Sequence, residues 1–319
     1  MNLTKEQIVS LLGQEDFSQE FAKADAIRRE NVGDRILIRA LLEFSNYCRR
    51  QCRYCGLNCK NTSLERFRMQ PQEIIETALA AKEAGYRTIV LQSGEDPFYT
   101  PEILGEIVKK IKPCGIAVTL SCGEFDEETY RYFKECGADR YLLKHETSDP
   151  ELYRSLHPDS CLKARVNCQR FIKQAGLETG GGFMIGLPGQ TLETVAEDLL
   201  LLKKIGCDMA GIGPFLPHPD TPLKEAKHGS AQLTLRAVAI ARMLLPKANL
   251  PATTALGVLD PDCKDLVFAC GANVVMQKVT PAKLKRLYQI YPAQFQETDI
   301  VTGRKQIEQE IKEIGKIPY

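Results

Sequence analysis

The sequence predicts an α/β protein, a complete (β/α)8 barrel of the TIM type with helical extensions at both ends. Eight short β-rich runs alternate with helical stretches, which is typical of a parallel sheet, and eight strands are the number that closes a barrel. Several of these runs also end in polar residues, as the functional end of a barrel does. The predicted strands are 35–43, 87–92, 116–121, 139–145, 179–186, 209–215, 252–257 and 272–277.

Helical patterns fill the intervals and both ends of the chain. The predicted helices between strands are 72–85, 101–112, 126–136, 161–175, 191–205, 232–245 and 262–269. Residues 1–34 form a predicted N-terminal helical extension, in which Thr4 and Gln7 fit a capping box. Residues 35–292 form the predicted barrel, and 293–319 a C-terminal helical extension that closes it, with a charged helix at 303–315.

Composition excludes several classes of partner. Lys and Arg number 42 and Asp and Glu 41, for a net charge of +1. Without a long basic run, we expect no nucleic acid and no acidic membrane partner. The N-terminus does not resemble a secretory signal and no apolar run could span a bilayer, so a cytoplasmic location is expected. In a reducing compartment, twelve cysteines indicate metal or redox chemistry rather than disulfides.

The segment FSNYCRRQCRYCGLNCKN follows the first predicted strand. Cys48, Cys52 and Cys55 have the spacing C-x3-C-x2-C, and each thiolate can hold one iron of a 4Fe–4S cubane while the fourth iron stays open. Cys59 leaves two alternatives open, a four-thiolate zinc site and a ferredoxin-like four-cysteine site. Tyr54 precedes the third cysteine, where an aromatic ring can flank an adenine. This pattern, on a loop after the first barrel strand, resembles the radical S-adenosylmethionine (SAM) signature.

Polar residues at other strand ends favour a cavity in the barrel. Alternation along a strand places Thr119 with Ser121, and Lys144 with Glu146, on shared faces. The alternative is that each of these residues caps a helix or satisfies the backbone of a loop.

Longer stretches resemble the HydE family of FeFe-hydrogenase maturases, in the group that includes biotin synthase and methylornithine synthase. The resemblance extends to about residue 292. The stretches that carry it are SNYCRRQCRYCGL, LERFRM, TIVLQSGEDP, ADRYLLKHET, GFMIGLPGQT, GIGPFLPHPDTPL, LPATTALG, CGANVVM and LYQIYP. Lys144 stands where an Arg is common in the family.

The resemblance implies a role for each candidate residue. Cys48, Cys52 and Cys55 would bind the cluster. The residues implied to bind SAM are Tyr54, Ser121, Glu146, Arg165, Met209 and Ile212. Those implied to face the substrate are Gln92, Thr253, Thr254, Tyr288 and Tyr291.

The family also implies a reaction, namely reductive cleavage of SAM to a 5′-deoxyadenosyl radical during assembly of the hydrogenase di-iron subcluster. The implied substrate is a cysteine-bound Fe(CO)2(CN) complex from HydG, the implied recipient is HydF, and the implied reductant is a ferredoxin or flavodoxin. Some family members carry three further cysteines after LYQxYP, but this chain has none there, so no second cluster is expected. Two alternatives stay open. One is a related radical SAM enzyme acting on another small substrate, either a methylornithine-synthase-like mutase or a HydE-like paralogue, and the other is an iron–sulfur carrier or scaffold.

Overall fold

The computed structural model describes residues 1–293 and 297–319 and contains a parallel eight-stranded barrel wall. Apolar β-branched runs such as Ile89–Leu91 form its strands because they are buried on both faces. The barrel strands are β1 Arg35–Ser45, β2 Thr88–Ser93, β3 Ala117–Ser121, β4 Arg140–Leu142, β5 Glu178–Ile185, β6 Met209–Pro214, β7 Pro251–Ala252 and β8 Val274–Lys278.

The strands are hydrogen-bonded in the order β6-β5-β4-β3-β2-β1-β8-β7. Between β6 and β7 the barrel closes through an isolated parallel bridge rather than a full ladder. There, Ala210 N donates to Asn249 O at 3.0 Å, and Asn249 N donates to Asp208 O at 2.9 Å. The predicted (β/α)8 class is confirmed, with one seam that is much weaker than the others.

Helices cover the outside of the barrel. The helices before β6 are α1 Lys5–Leu12, α2 Ser18–Val32, α3 Pro71–Glu83, α4 Pro101–Ile111, α5 Glu127–Glu135, α6 Pro150–Leu156, α7 Leu162–Gln174 and α8 Leu192–Ile205. Those after β6 are α9 Ala231–Leu244, α10 Thr254–Leu259, α11 Cys263–Ala269, α12 Ala282–Lys285 and α13 Ile300–Glu313. The predicted capping box of α1 is present, with Thr4 and Gln7 bonding reciprocally. None of the helices in the described part of the chain is long and apolar enough to cross a membrane.

The predicted strand 252–257 is wrong beyond Ala252, because α10 begins there at Thr254. Thr253 is the N-cap residue of α10, so the chain turns into a helix there instead of continuing beside β6. Thr253 also packs closely against Gly213 of β6, where a Cβ would stand 2.6 Å from Thr253 Oγ1. Helix α6 was not predicted, although Asp149 caps it and Pro150 opens it.

The terminal segments pack at different places on the barrel. Helix α1 contacts α8, and α2 contacts α9. The last residues form β9, Ile317–Pro318, which pairs with Arg35 and Ile36 at the beginning of β1. This part of the predicted C-terminal extension thus covers the N-terminal end of the barrel, while residues 294–296 of that extension lie outside the described residues.

Candidate active site

The cysteine loop, residues 46–62, leaves the C-terminal end of β1 and is held from its centre by Arg66. The Arg66 guanidinium donates to the carbonyl oxygens of Asn46, Leu57, Asn58 and Asn61 at 2.6–3.0 Å. An Arg can do this because its planar fork carries five donors. Sequence reasoning missed this role, although Arg66 lies in the LERFRM stretch.

Main-chain hydrogen bonds fix the loop to three other segments. Arg49 N donates to Glu95 O after β2, Arg53 N to Leu156 O at the end of α6, and Gly56 N to Ile290 O in the C-terminal segment, each at 2.9 Å. Gly56 is required here, since a Cβ would lie 2.2 Å from Gln289 O. The cysteines are therefore positioned by parts of the chain that are far apart in sequence.

The thiols of Cys48, Cys52 and Cys55 are half-buried in this loop, whereas Cys59 is exposed. Cys48 Sγ accepts from the main-chain N–H groups of Arg50 and Glu95 at 3.4 Å. Burial raises the pKa of all three thiols, that of Cys55 to about 12. They are protonated at neutral pH, so binding iron has to displace their protons.

No set of three His, Cys, Asp or Glu side chains within 1–293 and 297–319 converges on a single metal position. A cubane does not require such convergence, because each thiolate binds a different iron. The three free thiols stand on one short loop, and thiolates are the usual ligands of such a cluster.

Below the cysteine loop the barrel encloses a cavity of about 250 Å³. Alternate residues of each strand face it, as the side-chain period of two requires. Eight of the predicted site residues line it: Tyr54, Gln92, Glu146, Met209, Thr253, Thr254, Tyr288 and Tyr291. The structure thus brings together, in one enclosed space, side chains that the sequence distributes over nearly 240 positions.

Three predicted SAM residues lie off the cavity lining. Ser121 ends β3 two residues after Thr119, which lines the cavity, so both are on the inner face. Ile212 is buried in the core on the opposite face of β6 from Met209 and Gly211. Its side chain does not reach the cavity, so any contact of Ile212 with a nucleoside would come from its main chain.

Arg165 is buried rather than exposed on its helix, and it is paired. Its Nε lies 2.8 Å from Glu124 Oε1. The other carboxylate oxygen of Glu124 lies 2.8 Å from Arg50, which also pairs with Glu95 at 2.9 Å. Sequence reasoning missed both glutamates, although Glu95 lies in the quoted stretch TIVLQSGEDP.

Glu146 has an unusual backbone and an unusual carboxylate. Its φ of 65° is the one positive value found for a non-glycine residue in the described part of the chain. Lys144 Nζ lies 3.1 Å from Glu146 Oε2, yet this buried oxygen receives no well-aligned hydrogen bond. Strained backbone conformations cluster at functional sites. The carboxylate is therefore available to a cationic donor that enters the cavity.

Deeper in the cavity, β1 contributes Arg39 and Glu43, which sequence reasoning missed. Glu43 is fully buried and lies 2.8 Å from Lys278 of β8. Burial raises the pKa of Glu43 to about 7, although Lys278 opposes this effect. Arg39 and Glu43 stand four residues apart in the otherwise apolar stretch 36–44 of β1, and this spacing is the signal that could have found them.

Two buried histidines support the wall beside Tyr54 and Glu146. His157 Nε2 is 3.1 Å from the Tyr54 hydroxyl, and its Nδ1 is 3.1 Å from Tyr153 O. His145 precedes Glu146 and points away from the cavity, towards Asp198 at 3.9 Å. Burial lowers the pKa of both histidines to about 3, so they are neutral at pH 7.

Comparisons with known proteins agree with this geometry. Residues 42–202 match the model of the Radical SAM superfamily. The chain is 54% identical over 272 residues, 85% of this chain and 78% of the relative, to FeFe hydrogenase maturase subunit HydE of Thermotoga maritima. It is 34% identical over 271 residues, 84% of this chain and 76% of the relative, to 3-methylornithine synthase of Methanosarcina acetivorans. The crystal structure of methylornithine synthase PylB superposes with a TM-score of 0.87 at 29% identity, covering 100% of this chain and 95% of that one.

Proposed function

This chain belongs to the HydE family of radical SAM enzymes, and from that premise we propose that it acts on a cysteine-bound Fe(CO)2(CN) complex during assembly of the hydrogenase di-iron subcluster. The observation that carries the proposal is the cysteine loop over an enclosed cavity that contains the unsatisfied carboxylate of Glu146. A reactive radical requires such enclosure, because the protein's part is to orient reactants and exclude water.

In this proposal Cys48, Cys52 and Cys55 hold one 4Fe–4S cluster, and Cys59 does not take part. The cluster and SAM, when bound, supply reductive cleavage of the sulfonium bond to give a 5′-deoxyadenosyl radical. No second cluster is bound after residue 292, since the sequence contains no cysteine beyond Cys270.

Groups on the cavity lining and beside it would bind each part of SAM. Glu146 accepts from the amino group, which supplies the donor that its buried oxygen lacks. Arg165, with Ser121, binds the carboxylate, and Glu124 then shares Arg165 with that ligand. Tyr54 and Met209 contact the nucleoside and methionine from the cavity wall, and Ile212 does so through its main chain.

The substrate occupies the cavity between Gln92, Thr253, Thr254, Tyr288 and Tyr291. Gln92 Nε2 already donates to the Tyr288 hydroxyl at 3.3 Å, so the two side chains are held in place. The interior also contains Glu43 and Lys278, which suits a small polar substrate. HydG supplies this substrate, HydF receives the product, and a ferredoxin or flavodoxin supplies electrons. The protein works in the cytoplasm, without nucleic acid or membrane partners.

A second candidate is a mutase resembling methylornithine synthase, acting on an amino acid in the same cavity. The likeness to 3-methylornithine synthase over most of both chains favours it. The HydE assignment has the greater support, because the identity to HydE is 54% against 34%.

The first experiment reconstitutes the protein anaerobically with iron and sulfide, reduces it with dithionite, and measures 5′-deoxyadenosine from SAM. We expect product from the parent and none from Cys48→Ala, Cys52→Ala or Cys55→Ala. Cys59→Ala is the matched control on the same loop, and it should retain parental activity. An intact cluster without SAM cleavage, with and without substrate, would favour the carrier alternative.

The second experiment addresses the substrate. Purified protein is combined with HydG, HydF and apo-hydrogenase, and hydrogen production is measured, while a parallel reaction offers lysine and is analysed for methylornithine. Hydrogen production in the first reaction alone supports the HydE proposal. Methylornithine in the second would replace it with the mutase.

A further inference from the structure

A second depression lies on the outer side of the cysteine loop, away from the barrel cavity. One wall is residues 51–60 of the loop, and the other is residues 219–224, which begin within the PHPDTP segment and extend past it. We name this depression the outer groove. Its volume is about 630 Å³, and Cys52 lies on its wall. None of the three predicted cluster ligands lines the barrel cavity. Cys52 is therefore the predicted ligand that connects the cysteine loop to the outer groove.

The walls of the outer groove are held rigidly. His218, the histidine of the PHPDTP segment, is buried, and its Nδ1 accepts a hydrogen bond from Asp220 N at 3.1 Å. Thr221 Oγ1 donates to His218 O at 2.8 Å. The other edge of the His218 ring contacts the cysteine loop. A Cβ on Gly56 would lie 2.5 Å from His218 Nε2. The two walls therefore keep their spacing, and a partner would meet a preformed surface.

The charge of the outer groove is positive. Arg53, Lys60 and Lys224 are exposed on its walls, and Asp220 is the one carboxylate there, so three cations less one anion leave +2. The whole chain carries +1 in total. Within 1–293 and 297–319, these three cations form no salt bridge of their own. Exposed cations without a local partner attract an acidic protein over a long range and raise its association rate.

We propose that the outer groove docks an acidic one-electron carrier protein, which reduces the cluster through the edge of the loop at Cys52. The proposal rests on the proposed function, because it needs a cluster on this loop. In the step, the carrier loses one electron and the cluster gains it. No atom or proton is transferred, and each SAM cleavage consumes one such electron.

The test compares two double variants with the same change in charge. Lys60→Glu with Lys224→Glu alters the outer groove, and Arg53 is left unchanged because it lies between two predicted ligands. Lys110→Glu with Lys204→Glu is the matched control; both lysines are exposed and lie outside the groove. Each holoenzyme cleaves SAM with dithionite in one series and with photoreduced flavodoxin, an acidic carrier, in the other.

With flavodoxin at low salt, we expect the groove variant to lose about tenfold in rate, while the control variant matches the parent. With dithionite, a small reductant that needs no docking, both variants should match the parent. Flavodoxin-driven cleavage by the parent should fall as salt is raised, because the attraction is screened. An undiminished rate of the groove variant with flavodoxin, or an equal loss in both variants, would overturn the proposal.

A binding measurement separates this proposal from the function on which it rests. Cluster-free protein is titrated with flavodoxin in a calorimeter, and the groove variant should bind about tenfold more weakly than the parent and the control. If the parent fails to cleave SAM even with dithionite, the proposed function fails, and the titration still decides whether the outer groove is the docking surface. Equal affinities of all three proteins would reject it.

Discussion

The cysteine loop has cations on both of its sides, and the two groups have opposite structural properties. On the inner side, Arg50 and Arg165 are largely buried and share Glu124, with Arg50 paired also to Glu95. On the outer side, Lys60 and Lys224 are exposed and have no salt bridge among the described residues. Buried charges lose hydration and need partners, whereas exposed charges do not.

The difference separates two uses of positive charge around one loop. The inner arginines hold the loop and its neighbours together, so changes there should alter stability. The outer lysines contribute little to folding, so changes there should alter association with a partner instead. The four predictions below test this division, from the largest expected effect to the smallest.

Glu124→Gln should have the largest effect. It leaves Arg50 and Arg165 with a neutral neighbour in a largely buried position, at a cost of about 3–5 kcal/mol in the free energy of unfolding. Anaerobic urea denaturation of the cluster-free protein, followed by circular dichroism, measures it. A loss below about 1 kcal/mol would mean that the inner pairs resemble surface salt bridges.

Gly56→Ala should push the cysteine loop away from the C-terminal segment that contains Gln289. The new methyl group would stand 2.2 Å from Gln289 O and 2.5 Å from His218 Nε2, and relieving such overpacking costs up to about 3 kcal/mol. The same denaturation measures the loss. Ser63→Ala, an exposed change just beyond the loop, is the control, and an equal stability of the two variants would contradict the close contact.

His157 predicts a pH dependence on the inner side. Burial lowers its pKa to about 3, while an unfolded His titrates near 6.5. Below pH 6.5 the unfolded chain binds a proton that the folded chain does not, so the free energy of unfolding falls as pH falls. Between pH 6.5 and 5 this amounts to about 2 kcal/mol.

Denaturation of the parent and His157→Gln at pH 7 and pH 5 checks this contribution. The variant should lose about 2 kcal/mol less than the parent between the two values. An identical pH dependence would show that folding does not lower the pKa of His157.

Lys60→Gln with Lys224→Gln should have the smallest effect on folding. Surface substitutions away from caps and networks usually change stability by less than about 0.5 kcal/mol. The denaturation midpoint should therefore match that of the parent, while flavodoxin affinity declines. A clear loss of stability would show that these lysines contribute to folding, as the inner arginines are expected to do.

The barrel and the cluster loop could be predicted from local pattern. Alternating strand and helix signals, with caps such as Thr4, depend on neighbours in sequence. The structure has most of them where they were expected, the exceptions being the end of β7 and helix α6. Alternation along a strand also predicts that Met209 and Ile212, three residues apart on β6, face opposite sides of the sheet. In the structure Met209 lines the cavity and Ile212 lies in the core.

The tertiary structure decided the remaining features of the fold and the site. Those features depend on which residues, distant in sequence, become neighbours in space. Glu43 gains its partner and its raised pKa only when β8 brings Lys278 beside β1. Thr253 can pack against β6 because Gly213 has no side chain. The sequence by itself determined the barrel, the cysteine spacing and the family. The pairing of buried charges, the shape of the cavity and the polarity of the outer groove came from packing, since desolvation and close contact act between surfaces rather than along the chain.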